Sequence, residues 1–136
     1  MDNVTINWLA VLGATLVCFV LGALWYGPLF GKAWMLAIGM DPAKMKDAPK
    51  PKMARLLIVT FVLEWLMSSC LAAFIGAGKG AALGTLFGFL TGLPWIAFAV
   101  AVNAMFEGRS FKYMLINGSY WTVSFTLMGL IIGWLQ

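Results

Sequence analysis

Hydrophobic residues do not alternate with polar ones along this chain. They run on through four long stretches, roughly Ile6–Phe30, Arg55–Ile75, Ala81–Phe106 and Tyr113–Leu135. A helix needs ~20 predominantly apolar residues to cross ~30 Å of hydrocarbon, and each stretch is long enough. A soluble domain of this length leaves a large share of its surface in water, so it has nowhere to put four such runs. The pattern predicts an all-α, polytopic membrane protein. Its single domain, residues 1–136, is expected to be a four-transmembrane-helix bundle with short loops and a basic first cytoplasmic loop.

Within the runs, small residues recur at helical spacing. Gly76, Gly80, Gly84, Gly88 and Gly92 follow one another every fourth residue through the entry and first half of the third run. Positions four apart share a helix face, so these glycines predict a smooth groove for close helix packing. Lipid supplies no hydrophobic force between helices, and close backbone approach takes its place. Parallel stripes occur at Ala10, Ala14, Cys18 and Gly22, at Ser68, Ala72 and Gly76, and at Gly129 and Gly133. Spacing alone leaves open whether the groove packs within one chain or between copies in a homo-oligomer.

Lysine and arginine give an orientation. Lys32, Lys44, Lys46, Lys50, Lys52 and Arg55 fill the first loop, and Arg109 and Lys112 the third, while Lys79 stands alone in the second. Basic residues favour the cytoplasmic side. Loops one and three are therefore expected in the cytoplasm and both termini in the periplasm of a bacterial cytoplasmic (inner) membrane. The net charge of +4 thus reflects topology, and no nucleic-acid partner is expected. Besides the lipid bilayer itself, anionic headgroups are the partner expected at the Lys44–Arg55 loop, at ~1 kcal/mol per basic residue near the surface. The start of the chain lacks the basic n-region of a cleavable signal, so the first span is expected to be retained.

The first loop has features of its own. Lys32–Ile38 is expected to lie along the headgroup layer with Trp34 as anchor. Asp41-Pro42 reads as the start of one short turn, and Ala48–Lys52 as an extended basic strip, because each proline disfavours helix in the residue before it.

Candidate chemistry is sparse. The sequence has no histidine and two cysteines, Cys18 and Cys70, both within apolar runs. Free cysteine usually behaves as a small buried hydrophobe. No metal and no cofactor is expected. Glu64 is the one ionisable residue deep in a span, nine positions from Arg55 and so about 13 Å inward at 1.5 Å per residue. A charge there costs ~2.5–3.5 kcal/mol on insertion scales, unless the carboxyl stays protonated, so Glu64 should face the bundle interior. Counting inward from Lys112 reaches Tyr120 at a similar depth, which makes it the expected partner. Asn103 and Asn117 share a level nearer the cytoplasmic ends and are expected to bond across spans three and four. Trp25, Tyr26 and Trp34 gather at that level, either as an interfacial belt or as the wall of a small-ligand site, and Gly27-Pro28 should end the first helix.

Asn7-Trp8 with LGALWYGPLFGKAWM closing the first span, and FEGRSFKYMLINGSY leading into the fourth, resemble the small bacterial membrane proteins grouped as domain of unknown function 1761. The likeness covers essentially the whole chain. It implies a compact four-helix protein of the cytoplasmic membrane and carries over no activity and no catalytic residue.

Three function classes follow from the residues. The first is a non-enzymatic self-associating or accessory membrane module. The second is a small proton- or cation-coupled transporter or channel using Glu64. The third, an intramembrane enzyme, ranks last, because one isolated carboxylate does not make the convergent set that catalysis needs.

Overall fold

The computed structural model describes residues 5–44 and 50–136. Helix α1 (Trp8–Leu24) opens the first span and a wide π turn, Trp25–Leu29, closes it; α2 (Gly31–Ala37) follows. The second span is α3 (Lys50–Ile75). The third is α4 (Gly80–Leu90), a π segment Thr91–Ala97 and α5 (Phe98–Phe106), and the fourth is α6 (Phe111–Leu135). Four helices are thus long and apolar enough to cross a membrane.

One departure from the sequence pattern lies at the start of the second span, while the short turn at Asp41 forms as expected. Helix α3 begins at Lys50, so Lys50–Lys52 are helical and not an extended strip. Proline is tolerated in a first helical turn, where its missing N–H has no intrahelical acceptor to lose. Lys46 and the rest of 45–49 lie outside the described residues. After α2, the Asp41 carboxylate accepts from the Ala43 N–H at 3.0 Å, holding a single turn.

The glycine stripe is shorter than its spacing suggests. Gly76 (φ 74°), Gly78 (φ 71°) and Gly80 (φ 79°) occupy the left-handed region in the tight connection between α3 and α4, and an added Cβ on any of them would meet open space. Gly76 is therefore a turn glycine and not a groove residue, while Gly80, which needs its positive φ for the turn, still presents its carbonyl to Gly133, where a Cβ would lie 2.6 Å from it. The shared role of all three is backbone freedom, which L-residues lack at positive φ.

Gly84, Gly88 and Gly92 do line a contact, and it lies inside the chain. A Cβ at Gly84 would strike the Gly129 carbonyl and lie 2.7 Å from the Gly133 Cα; one at Gly88 would strike the Phe125 carbonyl; one at Gly92 would lie 2.9 Å from the Thr122 Cα. The contacts run backwards along α6 as they run forwards along α4, so the two helices are antiparallel and touch backbone to backbone. Helix α6 is the centre of the bundle. It also packs on α1, α2 and α3, and buries Tyr120, Ser124, Phe125, Met128 and Ile132.

Pro94 has no helical N–H to give and its ring clashes with the preceding turn. The third span absorbs it by widening to a π segment over Thr91–Ala97, a usual answer to such a break.

One end of the bundle is tied by polar bonds. The Asn7 side chain caps α1 by accepting from the Leu9 and Ala10 N–H groups and donates to the Leu135 carbonyl at 2.8 Å. Gln136 accepts from the Asn7 N–H and donates to the Ala72 carbonyl at 3.0 Å. The start of α1 and the ends of α3 and α6 therefore share one face of the bundle, and α3 runs parallel to α6.

Candidate functional site

The deepest polar residues meet where α1, α3 and α6 converge. Glu64 on α3 is 2% exposed, and its Oε1 accepts from the Tyr120 hydroxyl of α6 at 3.1 Å. The same hydroxyl lies 3.6 Å from the Cys18 thiol of α1, and Ser124 adjoins both Cys18 and Tyr120. The small stripe of α1 makes this possible. Ala10, Ala14 and Cys18 are buried, and a Cβ at Gly22 would come within 3.0 Å of the Tyr120 hydroxyl. Three side chains from three helices thus share one point at mid-span depth.

The aromatic residues are continuous with this point. The Tyr26 ring stands edge-on to Tyr120 with centroids 5.1 Å apart, and Trp34 stands edge-on to Tyr26 at 5.5 Å. The Trp25 indole N–H donates to the Ile116 carbonyl at 3.0 Å. The π turn creates this wall. Gly27 adopts a non-helical φ −102°, ψ −106°, and Gly31 must lack a side chain because a Cβ there would lie 2.5 Å from the Tyr26 carbonyl. The Trp-Tyr-Gly-Pro-Leu-Phe-Gly run is therefore a corner that turns Trp25 and Tyr26 inward and folds α2 back onto α6.

The asparagine pair does not form. Asn117 Oδ1 accepts from the Tyr26 hydroxyl at 2.6 Å, and its Nδ2 donates to the Tyr113 carbonyl one turn back at 3.0 Å. Asn103 is exposed, while Ala104 is the buried residue of α5; Gly118 packs opposite Ala97, so Asn103 also lies more than a turn nearer the α5–α6 connection than Asn117. Beyond it, Glu107 and Arg109 form an exposed pair at 3.3 Å.

Two apolar clefts open on the sides of the bundle. One, of about 450 Å³, lies between α3 and the third span and includes Met67, Cys70, Phe74, Trp95 and Phe125. The other, of about 460 Å³, lies between the third span and α6 and includes Phe89, Phe98, Phe111 and Met114. Neither is lined by Glu64. Among the described residues no group of three His, Cys, Asp or Glu side chains converges.

Residues 9–133 match the family described as "Protein of unknown function (DUF1761)". The chain belongs to the DUF1761 family. No curated protein and no solved structure matches it. In this DUF1761 protein the matched segment contains Cys18, Tyr26, Glu64, Ser68, Asn117, Tyr120 and Ser124, so the whole convergence lies within it. Asn7 and Gln136 lie just outside.

Sequence reasoning missed Cys18, Ser68 and Ser124 as members of this group. The signal was available at i+4 spacing: Ser68 lies one turn beyond Glu64, and Ser124 one turn beyond Tyr120, so on two parallel helices both pairs fall in one seam.

Proposed function

We propose that this DUF1761 protein is a non-enzymatic module of the bacterial cytoplasmic membrane, built to present a stable apolar bundle and not to open a conduit. The observation that supports the reading best is the closure of Glu64. Glu64, the carboxyl deep in α3, is 2% exposed and bonded to Tyr120, and the two lateral clefts are apolar and stop short of it. Catalysis needs convergent acids, bases or nucleophiles open to a substrate, and a conduit needs a wet path. The glycine face is occupied within the chain by α6, so self-association or docking of an accessory partner falls to the lateral clefts.

The transporter reading predicts a different result in one experiment. Protein in liposomes under an imposed proton or sodium gradient should give flux no greater than protein-free liposomes, and Glu64→Gln should leave that baseline unchanged. Flux well above baseline that Glu64→Gln abolishes would establish the transporter instead.

Orientation rests on charge. Helix α2, the turn after it, the start of α3, the α5–α6 connection and the start of α6 carry Lys32, Lys44, Lys52, Arg55, Arg109 and Lys112 at the end opposite Asn7 and Gln136, and this basic end is assigned to the cytoplasm. Anionic headgroups are its proposed partners, along the basic segment from Lys44 to Arg55. Reporter fusions after Gln136 should behave as exported. A cytoplasmic reporter there would reverse the orientation.

A further inference from the structure

The seam around Glu64 contains a chemical imbalance that the bundle does not resolve. Most serine and threonine hydroxyls in the spans bond to a carbonyl of their own helix. Thr15, Ser69, Thr85, Thr91, Thr122 and Thr126 each donate to the carbonyl four residues back at 2.6–2.8 Å. Ser68 and Ser124 do not. Both are fully buried, and their Oγ atoms, together with Glu64 Oε2, have no hydrogen-bond partner among the described residues. An unpaired buried hydroxyl costs ~1–3 kcal/mol and a carboxylate more. Such a group in a folded interior points to something that completes it.

The three atoms are placed together by register. Glu64 and Tyr120 bond across two parallel helices, and Ser68 and Ser124 each lie one turn further on in the same direction. Their chemistry is uniform: three oxygens, one of them from a carboxylate, with the Tyr120 hydroxyl oxygen beside them. Hard oxygen donors suit hard cations. One carboxylate balances one positive charge and is too little for a divalent ion. No basic side chain among the described residues is available to do the same, since Arg55, the nearest along α3, is nine residues and so about 13 Å away. The orphan oxygens have essentially no accessible surface, so a group that completed them would be shut off from bulk water.

We propose that Glu64, Ser68, Ser124 and Tyr120 form an occluded site for a single monovalent cation, with sodium as the fitting probe. Glu64 Oε2 supplies the charge, the two serine hydroxyls supply neutral oxygens, and Tyr120 holds the carboxylate in place through Oε1. The site goes beyond the module reading and does not depend on it, because an occluded ion can stabilise a bundle without crossing it.

Thermal unfolding of the full chain in lipid nanodiscs tests this. Sodium chloride is exchanged for N-methylglucamine chloride at constant ionic strength. The wild type should show a saturable, sodium-dependent rise in Tm of several degrees, since a ligand that binds only the folded state stabilises it by mass action. Glu64→Gln should flatten the response. Ser124→Ala, which keeps the carboxylate, should retain it with the half-point moved to about tenfold higher sodium, as expected for loss of one oxygen donor. A wild-type Tm indifferent to the exchange would overturn the site and leave Glu64 with only a proton. A rise of equal size and half-point in Ser124→Ala and Glu64→Gln would also overturn it, by moving the sodium effect elsewhere.

Discussion

Replacing Gly88 with leucine should break the association of α4 with α6 and destabilise the protein by more than ~3 kcal/mol, at or beyond the usual cost of overpacking. The reason is what the new side chain meets. A Cβ at Gly88 already collides with the Phe125 carbonyl and lies 2.9 Å from its carbon and 3.1 Å from the Thr126 Cα. Backbone atoms in a helix cannot swing aside as a side chain does, so the helices must separate along the whole Gly84–Gly92 contact. Close packing is also what holds membrane helices together in the absence of a hydrophobic force. Leu83→Ile and Leu86→Ile are the controls: both leucines are exposed on outer faces and should change stability by less than ~0.5 kcal/mol. Unfolding by SDS titration in mixed micelles reads all three. A Gly88→Leu protein that unfolds like wild type would mean that the antiparallel α4–α6 seam does not exist.

The second large effect is expected at Tyr120. Its hydroxyl donates to Glu64 and adjoins Cys18 and Ser124, so Tyr120→Phe removes one atom and leaves a buried carboxyl with neither oxygen paired. That should cost ~1–3 kcal/mol, and toward the upper end, because charge-assisted partners lose more. The cost arises from what is left behind. Where Glu64 is first replaced by leucine, no carboxyl remains to be orphaned, and the same tyrosine change should be neutral or stabilising.

The spans were legible because run length against bilayer thickness is a one-dimensional test, and α1, α3, the third span and α6 meet it. Depth was legible for the same reason. Counting inward from Arg55 and Lys112 sets Glu64 and Tyr120 at one level, where the structure bonds them. Direction around the helix axis was not legible. Asn103 is exposed and lies nearer the α5–α6 connection, since Gly118 packs opposite Ala97, and Asn117 is taken by Tyr26, because the corner built on Gly27 and Gly31 turns Tyr26 inward. Periodicity misled at Gly76 and Gly80 by continuing in number through a turn where the helix had stopped. Pro94 showed its presence but not its resolution, since a kink and a π segment answer the same missing N–H.

Helix α6 carries Tyr120 to Glu64 in a closed interior, and a double-mutant cycle reads that contact. The free energy of unfolding is measured in bicelles for wild type, Tyr120→Phe, Glu64→Leu and the double variant. Tyr120→Phe should cost ~1–3 kcal/mol in the wild type and close to nothing, or give a gain, in the Glu64→Leu background, a coupling above ~1 kcal/mol. An equal cost in both backgrounds would contradict it, because the two side chains would then not be partners.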